Sequence, residues 1–591
     1  MLSNDSAFVL FEDARLGKGA ARLFSQPIEK IVAATLAEVP LALALVRAAL
    51  RRGNYVAGWL GYEAGIAFEP RLMARATRHV DSRSPLLWFG VFDQVRNLTG
   101  DELTSALPDP ASAWMSMPCP RMKRVHYEAA FNRLHRYIVA GDIYQVNLSY
   151  RADLTLLGNP LAAYARLRGA GQGGWSAVVR DEASWLLSTS PELFFRMSGR
   201  SIETKPMKGT ARRAANPEED RLAAERLRLD PKELAENIMI VDLLRSDLSR
   251  LAKRGTVSVP ELFTVESYPT LHTLTSTIRA EIREEYDVVD VLSALFPCGS
   301  ITGAPKIRAM EIIDELEMDG RGAYTGSIGW MAPDGTAEFN VAIRTLAVSG
   351  GRAELGLGSG IVYDSTAAGE WSECLAKGAF VTAQADRFAL IETMRFQPGA
   401  GIALLEQHMR RLASSARVLE FRFNARTIRA RIAAAIANTT APSSVRLLLH
   451  SDGKTSVELK DAPVRAERSA SVLVVPVPVE SDDFRLFHKT THRHFYDAAR
   501  LRAGSDEVVF IDASGCLTEG SFTNLFVERA GVLLTPPVGR GLLPGVLRSS
   551  LIEAGLAREA DLSPEDLKDG FLLGNALRGL FPARLMPGKD P

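Results

Sequence analysis

A fresh strand pattern begins at Asp386-Arg-Phe-Ala-Leu-Ile-Glu-Thr-Met-Arg, well past the midpoint of a chain of 591 residues. A single hydrophobic core stops growing at roughly 250–300 residues, so a chain this long must divide. The restart puts the main boundary at about 384–388, and the C-terminal remainder is long enough for a complete small enzyme domain. Ahead of it, Leu107-Pro-Asp-Pro-Ala-Ser with Pro118 and Pro120 reads as a loop, and a second subregion starts near Val125. The expected segments are 1–120, 121–384 and 388–591.

Short β-type runs such as Ala7-Phe8-Val9-Leu10-Phe11 share the first segment with an alanine- and leucine-rich helical stretch around 31–52. In the second, strands are expected at Trp175-Ser-Ala-Val-Val, at Trp185-Leu-Leu-Ser and over 353–361. Across 231–252, Leu234, Ile238, Val241, Leu244, Leu248 and Leu251 recur at three- and four-residue steps, the period of a helix with one apolar face. Both halves are therefore expected to mix helices and strands, an α/β (α+β) class.

Lys plus Arg and Asp plus Glu both total 70, so the formal charge is zero and neither nucleic acid nor a membrane surface is indicated as the main partner. Cys119, Cys298, Cys374 and Cys516 are scattered, which suggests neither a zinc ribbon nor a disulfide framework and fits a reducing cytosol. The N-terminus reaches Glu12 and Asp13 without the basic start and apolar run of a signal peptide. The longest apolar run, Leu41 to Leu50, is broken by Arg47, so no bilayer-spanning segment is expected and the location expected is cytoplasmic.

Four polar blocks interrupt apolar stretches between 190 and 377: Ser190-Pro-Glu-Leu-Phe-Phe, Glu203-Thr-Lys-Pro-Met-Lys-Gly-Thr, the run from Asp230 to Asp247, and Gly356-Leu-Gly-Ser-Gly with Glu370-Trp-Ser-Glu-Cys-Leu-Ala-Lys. Glu233 and Glu236 are three apart, as are Glu370 and Glu373, so on helices each pair lies on one face. Two such faces could converge on a hard cation, and Mg²⁺ suits a site that takes few protein carboxylates and keeps room for an anionic substrate. Solvated helix faces are the plain alternative. It is weakened by the apolar run on one side and the glycine-rich turn on the other.

These blocks, with Gly141-Asp-Ile-Tyr-Gln-Val-Asn-Leu-Ser, Phe296-Pro-Cys-Gly-Ser-Ile-Thr-Gly-Ala-Pro-Lys and Phe339-Asn-Val-Ala-Ile-Arg-Thr, resemble the chorismate-utilising enzymes from about Val125 to Ala383. That family includes anthranilate synthase component I, aminodeoxychorismate synthase component I, and isochorismate and salicylate synthases. The resemblance implies Glu236 and Glu373 as Mg²⁺ ligands, with Glu233 and Glu370 reaching the metal directly or through water. It implies that Tyr324, Arg344 and the backbone around Gly358 and Gly360 hold the carboxylates of chorismate, with Thr302 and Lys377 as neighbours; a guanidinium fork pairs a carboxylate through two bonds.

Within Pro206-Met-Lys-Gly-Thr, Lys208 stands where anthranilate synthases resemble Pro-x-Ala-Gly-Thr. The similarity is thus to the aminodeoxychorismate branch. It implies that the Lys208 amine attacks ring C2 and the C4 hydroxyl leaves, protonated by Glu192, before ammonia enters at C4 and releases the enzyme. A lysine is nucleophilic only when burial or a neighbouring cation lowers its pKa, and Lys205 and the metal are the local candidates. Relatives often carry histidine where Thr273 stands, with His272 displaced by one, so neither takes a catalytic role here. Residues 1–120, including Gly58-Trp-Leu-Gly-Tyr-Glu, resemble more weakly the front half of the same two-sheet sandwich. The tryptophan that some relatives hold there is not carried over.

The last segment holds Glu406-Gln-His-Met-Arg-Arg-Leu, His488-Lys-Thr-Thr, Thr518-Glu-Gly-Ser-Phe-Thr-Asn-Leu and Leu543-Pro-Gly-Val-Leu-Arg. A pyridoxal phosphate site needs a lysine for the Schiff base, an acid for the pyridine nitrogen and donors for the phosphate. In this order the blocks resemble the fold-type IV pyridoxal phosphate enzymes, which implies Lys489 as the Schiff-base lysine, Glu519 at the pyridine nitrogen and Arg411 at the phosphate. Ser521, Thr523 and Asn524 would shape the site. Ala576 departs from the pattern, since relatives usually have a hydroxyl residue there.

A lyase and a transaminase are not separable on this scaffold from sequence. Fusion favours the lyase, because tethering raises the effective concentration of the first half's product at the second. The expected function is conversion of chorismate and ammonia to 4-amino-4-deoxychorismate and then to 4-aminobenzoate and pyruvate, for folate biosynthesis. A synthase fused to an aminotransferase stays open, as does one half serving as a non-catalytic module. None of the four cysteines lies in a Gly-x-Cys-x-Gly context, so ammonia comes from solution or from a separate glutamine amidotransferase subunit. Dimerisation of the lyase half is also left open.

Overall fold

The computed structural model describes residues 6–586 apart from 14–19, 74–83, 170–172, 183, 215, 268–270, 384–387 and 464–467. The boundary expected at 384–388 thus falls almost wholly outside the described residues. The chain forms two compact units: Met1–Pro110, Met117–Leu156 and Pro160–Gln384 make the first, and Ala111–Ser116, Leu157–Asn159 and Ala385–Pro591 the second.

Two antiparallel sheets build the first unit. One runs Gly303–Ala304, Gln145–Leu157, Arg352–Ile361, Thr345–Ser349, Trp185–Ser190, Trp175–Arg180, Phe8–Asp13, Ala20–Ser25 and Arg96–Leu98. The other runs Met207–Arg212, Leu271–Glu281, Ser201–Lys205, Leu193–Ser198, Ala337–Asn340, Ser327–Met331, Tyr55–Leu60, Leu87–Phe92 and Glu29–Ala33. Strands from 1–120 thus complete both sheets. The register joins Trp59 to Ile328 and Val9 to Val179, which makes the front half part of one sandwich, as expected. Phe11, Phe24 and Trp175 from one sheet and Trp59, Trp88 and Trp330 from the other fill the core between them. Their burial supplies the main driving force for stacking the sheets.

The strands expected around 175, 185 and 353 form at Trp175–Arg180, Trp185–Ser190 and Arg352–Ile361, and the expected helix runs Pro231–Ser249. The stretch 31–52 is helical only from Glu38 to Arg51; its start belongs to the strand Glu29–Ala33. There Ile31 and Ala33 are buried and Val32 is half-exposed, the period of two that a sheet edge imposes on β-branched residues.

The second unit holds two sheets. Gly401–Ile402, Ala389–Gln397, Ser443–His450 and Thr455–Asp461 are antiparallel, and the helices Leu405–Val418 and Ala425–Ile436 share an apolar core with them. A larger sheet is mixed, with Ala470–Pro476 parallel to both Glu507–Ile511 and Gly579–Leu585. Among the described residues no helix is long and apolar enough to cross a membrane.

Candidate active sites

A cavity of about 370 Å³ in the first unit gathers Glu192, Lys208, Glu233, Glu236, Tyr324, Arg344, Gly358, Gly360, Glu370, Glu373 and Lys377. Thr302 does not line it; it is fully buried, and its hydroxyl donates to the Cys298 carbonyl at 2.8 Å. Local sequence explains how the glutamates arrive. Asp230 caps the Pro231–Ser249 helix by accepting from the Lys232 and Glu233 amides, Pro231 fits the first turn, and Glu233 and Glu236 follow at once. Thr366 caps the Ala367–Gly378 helix through the Gly369 amide, and Glu370 falls in its first turn. Both helix N-termini favour negative charge there.

The glycine column has a steric reason. A Cβ at Gly356 would stand 2.0 Å from Cγ of Tyr324, and one at Gly358 would stand 2.9 Å from its hydroxyl oxygen. The ring therefore lies against bare backbone of the Arg352–Ile361 strand. Arg344 reaches the cavity from a backbone at φ +50°, a sparsely populated conformation for a non-glycine residue that clusters at functional sites.

Lys208 and Glu192 are the paired reactive groups. The Lys208 amine donates to the Ser300 carbonyl at 3.3 Å, and the Ser300 hydroxyl donates to Glu192 at 2.6 Å. Burial lowers the Lys208 pKa from its usual value and Lys377 lowers it further, against the pull of Glu236 and Glu192. Lys205, the neighbour expected to do this, is instead ion-paired with Glu266. Burial raises the Glu192 pKa, opposed by its Ser300 bond and by Lys208. Glu192 thus tends toward the protonated form and Lys208 toward the free amine.

The four metal-type carboxylates are crowded. Burial raises the Glu233 and Glu236 pKa values, and neighbouring carboxylates add to the effect in both. Glu373 pairs with Lys377 at 2.8 Å, and Glu370 accepts from Ser365 at 2.7 Å. Among the described residues no group of three or more such side chains is already drawn into a metal cluster. Lysines relieve part of the crowding, since Lys377 holds the Glu373 pKa down and Lys208 and Lys232 oppose the rise at Glu236, and an all-carboxylate donor set on two helix starts fits a hard divalent cation. His272 sits between Asp220 and Ser267, while the Thr273 hydroxyl donates to the Gly209 carbonyl beside Lys208.

In the second unit burial, helped by Arg411 and Arg493 and opposed by Glu392 and Glu519, lowers the Lys489 pKa to about 7. Burial raises the Glu519 carboxyl to about 7; it accepts from the Tyr496 hydroxyl at 2.6 Å, the Leu543 amide at 3.1 Å and the Asn524 side chain at 3.5 Å. Arg411 spends its fork on Glu392 at 2.9 and 2.7 Å and donates to the Pro544 carbonyl. His408 shares Glu392, and its Nε2 is buried with no hydrogen-bond partner among the described residues. Ser521 and Thr523 point their hydroxyls at Glu507. An amine near neutrality, a buried acid in reach of the same centre and an orphaned ring nitrogen fit a carbonyl-bearing aromatic cofactor such as pyridoxal phosphate.

Sequence reading missed Ser300, Glu392, Glu507, Arg493 and Tyr496. Glu392 and Glu507 carried a usable signal, since Glu392 directly follows the apolar run Ala389-Leu-Ile and Glu507 directly precedes Val508-Val-Phe-Ile. His408 and Arg411, three apart on one helix face, carried another.

Comparison with known proteins agrees with this division. A model of the chorismate binding enzyme family matches residues 7–383, and the amino-transferase class IV model matches 389–586. The chain is 39% identical over 339 residues to aminodeoxychorismate synthase component 1 of Klebsiella aerogenes, covering 54% of this chain and 74% of that protein. It is 44% identical over 266 residues to the protein of the same name from Escherichia coli K12, covering 45% of this chain and 58% of that one. Anthranilate synthase component I from Streptococcus pneumoniae TIGR4 shares the fold, with a TM-score of 0.54 at 24% identity over 61% of this chain and 92% of that one. The chain belongs to the chorismate binding enzymes, with an amino-transferase class IV domain following in the same polypeptide.

Proposed function

We propose that the first unit converts chorismate and ammonia to 4-amino-4-deoxychorismate and that the second releases 4-aminobenzoate and pyruvate from it, for folate biosynthesis in the cytoplasm. The observation that carries this reading is the Lys208–Ser300–Glu192 arrangement in a cavity that also holds Arg344. Lys208 forms a bond to ring C2, the ring double bonds shift, and the C4–O bond breaks as Glu192 gives its proton to the departing oxygen, which leaves as water. Ammonia then bonds to C4 while the C2–N bond breaks, returning the amine to Lys208. Arg344 and Tyr324 orient the substrate carboxylates. Glu236 and Glu373, with Glu233 and Glu370, would hold Mg²⁺, which supplies positive charge for a substrate carboxylate. The curated relatives' name, component 1, supports a separate glutamine amidotransferase as ammonia source.

In the second unit Glu519 would hold the ring nitrogen of pyridoxal phosphate, with Arg411 and the Ser521–Asn524 turn around it. When bound, the cofactor supplies an electron sink. Lys489 takes the proton at substrate C4 and hands one to the departing three-carbon group. Its pKa near 7 suits both directions of transfer.

The test is to incubate the full chain with chorismate, ammonia, Mg²⁺ and pyridoxal phosphate and to separate the products. 4-Aminobenzoate and pyruvate are expected. Anthranilate would overturn the first-unit reading, and accumulation of 4-amino-4-deoxychorismate the second.

A further inference from the structure

The second unit holds a cavity of about 860 Å³ that contains none of the residues placed at Lys489 and Glu519. Its lining includes Arg395, Arg468, Arg500 and Arg578 against two carboxylates, Asp506 and Glu507. Both carboxylates are already engaged. Asp506 pairs with Arg468 at 3.2 Å and accepts from Ser471, while Glu507 is buried and accepts from Ser521, Phe522 and Thr523.

Three guanidinium groups are left over. Arg395 donates to the Leu577 carbonyl at 3.2 Å, and among the described residues neither Arg395 nor Arg578 pairs with a carboxylate. Arg500 reaches only the exposed Asp497, at 3.5 Å, and its Nε is buried with no hydrogen-bond partner among the described residues. Phe522 keeps two of the cations apart: the Arg500 and Arg578 guanidinium carbons lie 5.7 and 5.4 Å from its ring centroid. Contact with an aromatic ring stabilises a guanidinium but leaves its N–H edges free.

The cavity is linked to the Glu519 region along the chain. Glu507 fixes the Ser521–Thr523 turn directly after Glu519, and Leu547 lies in the helix just beyond Leu543, whose amide holds Glu519. Arg395 and Arg500 are half-buried and Arg578 is exposed, so their guanidinium edges can meet an anionic ligand in the cavity through charge-assisted, bidentate bonds. We infer that Arg395, Arg500 and Arg578 form a carboxylate-binding subsite that selects a ring-bearing dicarboxylate for the second unit. This rests on the function proposed above, because 4-amino-4-deoxychorismate carries one carboxylate on its ring and a second on its three-carbon side chain.

The test uses the full chain loaded with its cofactor and two readouts. The first supplies 4-amino-4-deoxychorismate directly and measures 4-aminobenzoate release. Arg578→Gln and Arg395→Gln are expected to raise KM about tenfold or more with kcat changed far less, as lost uniform binding requires. The second measures calorimetric binding of isophthalate, an unreactive ring dicarboxylate, in an Arg344→Ala background so that the first unit's arginine does not compete. Both variants are expected to weaken it about tenfold. If no 4-aminobenzoate forms but isophthalate binding falls in the variants, the subsite stands and the lyase reading fails. Unchanged isophthalate affinity in both variants overturns the subsite, as does inorganic phosphate competing as strongly as the dicarboxylate. Arg578 is exposed, so its loss leaves the fold intact.

Discussion

Lys208 and Glu192 meet through one intermediary: the lysine amine donates to the Ser300 carbonyl at 3.3 Å while the Ser300 hydroxyl donates to the glutamate at 2.6 Å. A base and an acid with oppositely shifted pKa values are thereby held on one short bridge, a pattern typical of sites that use both.

Lys208→Ala is expected to cut 4-amino-4-deoxychorismate formation by about a thousandfold or more while leaving the protein folded, because it removes the nucleophile and little apolar surface. Retention of most of the synthase rate, with circular dichroism unchanged, would remove the covalent lysine from the mechanism.

Ser300→Ala separates the acid from its partner. The Ser300 bond stabilises the charged form of Glu192, so losing it raises the Glu192 pKa further. A general acid works while protonated, and activity falls as pH rises through its pKa. The falling limb of the synthase pH profile should therefore move to higher pH in the variant. A limb that moves down, or stays fixed, argues that Glu192 is not the acid.

Glu236→Gln and Glu373→Gln each remove a charged oxygen from a set suited to a hard cation. The magnesium titration of synthase activity should shift to higher concentration in both. Titrations superimposable on wild type would place the metal elsewhere.

Lys489→Ala is expected to abolish the visible absorbance of the bound cofactor and to make the enzyme accumulate 4-amino-4-deoxychorismate, with the synthase rate intact. The lyase assignment does not survive undiminished 4-aminobenzoate from this variant.

Glu519 provides a stability readout on the cofactor-free chain. Its folded pKa of about 7 lies above the ordinary 4.5, so its contribution is fully present below about 4.5 and is lost as pH rises through about 7. The loss is on the order of 3 kcal/mol. Glu519→Gln cannot titrate, and urea denaturation of wild type and variant should diverge across that window. Parallel curves would mean that the carboxyl titrates normally.

What the sequence determined by itself is local or repetitive in its physics. Chain length forced division, and helical spacing brought Glu233 beside Glu236 and Glu370 beside Glu373. Lys208 and Lys489 were legible because each sits in a distinctive short block. Tertiary structure decided what lies between blocks. Ser300 is 92 residues from Lys208 and 108 from Glu192, and only the folded sandwich with its connecting turns brings the three together. Burial and Lys377, not the nearby Lys205, lower the Lys208 pKa, since Lys205 is ion-paired with Glu266. Arg395, Arg500 and Arg578 gather around one cavity from a strand, a helix and a turn between strands, a convergence with no sequence period, because side chains far apart along the chain meet only when sheet register and helix packing fix their directions.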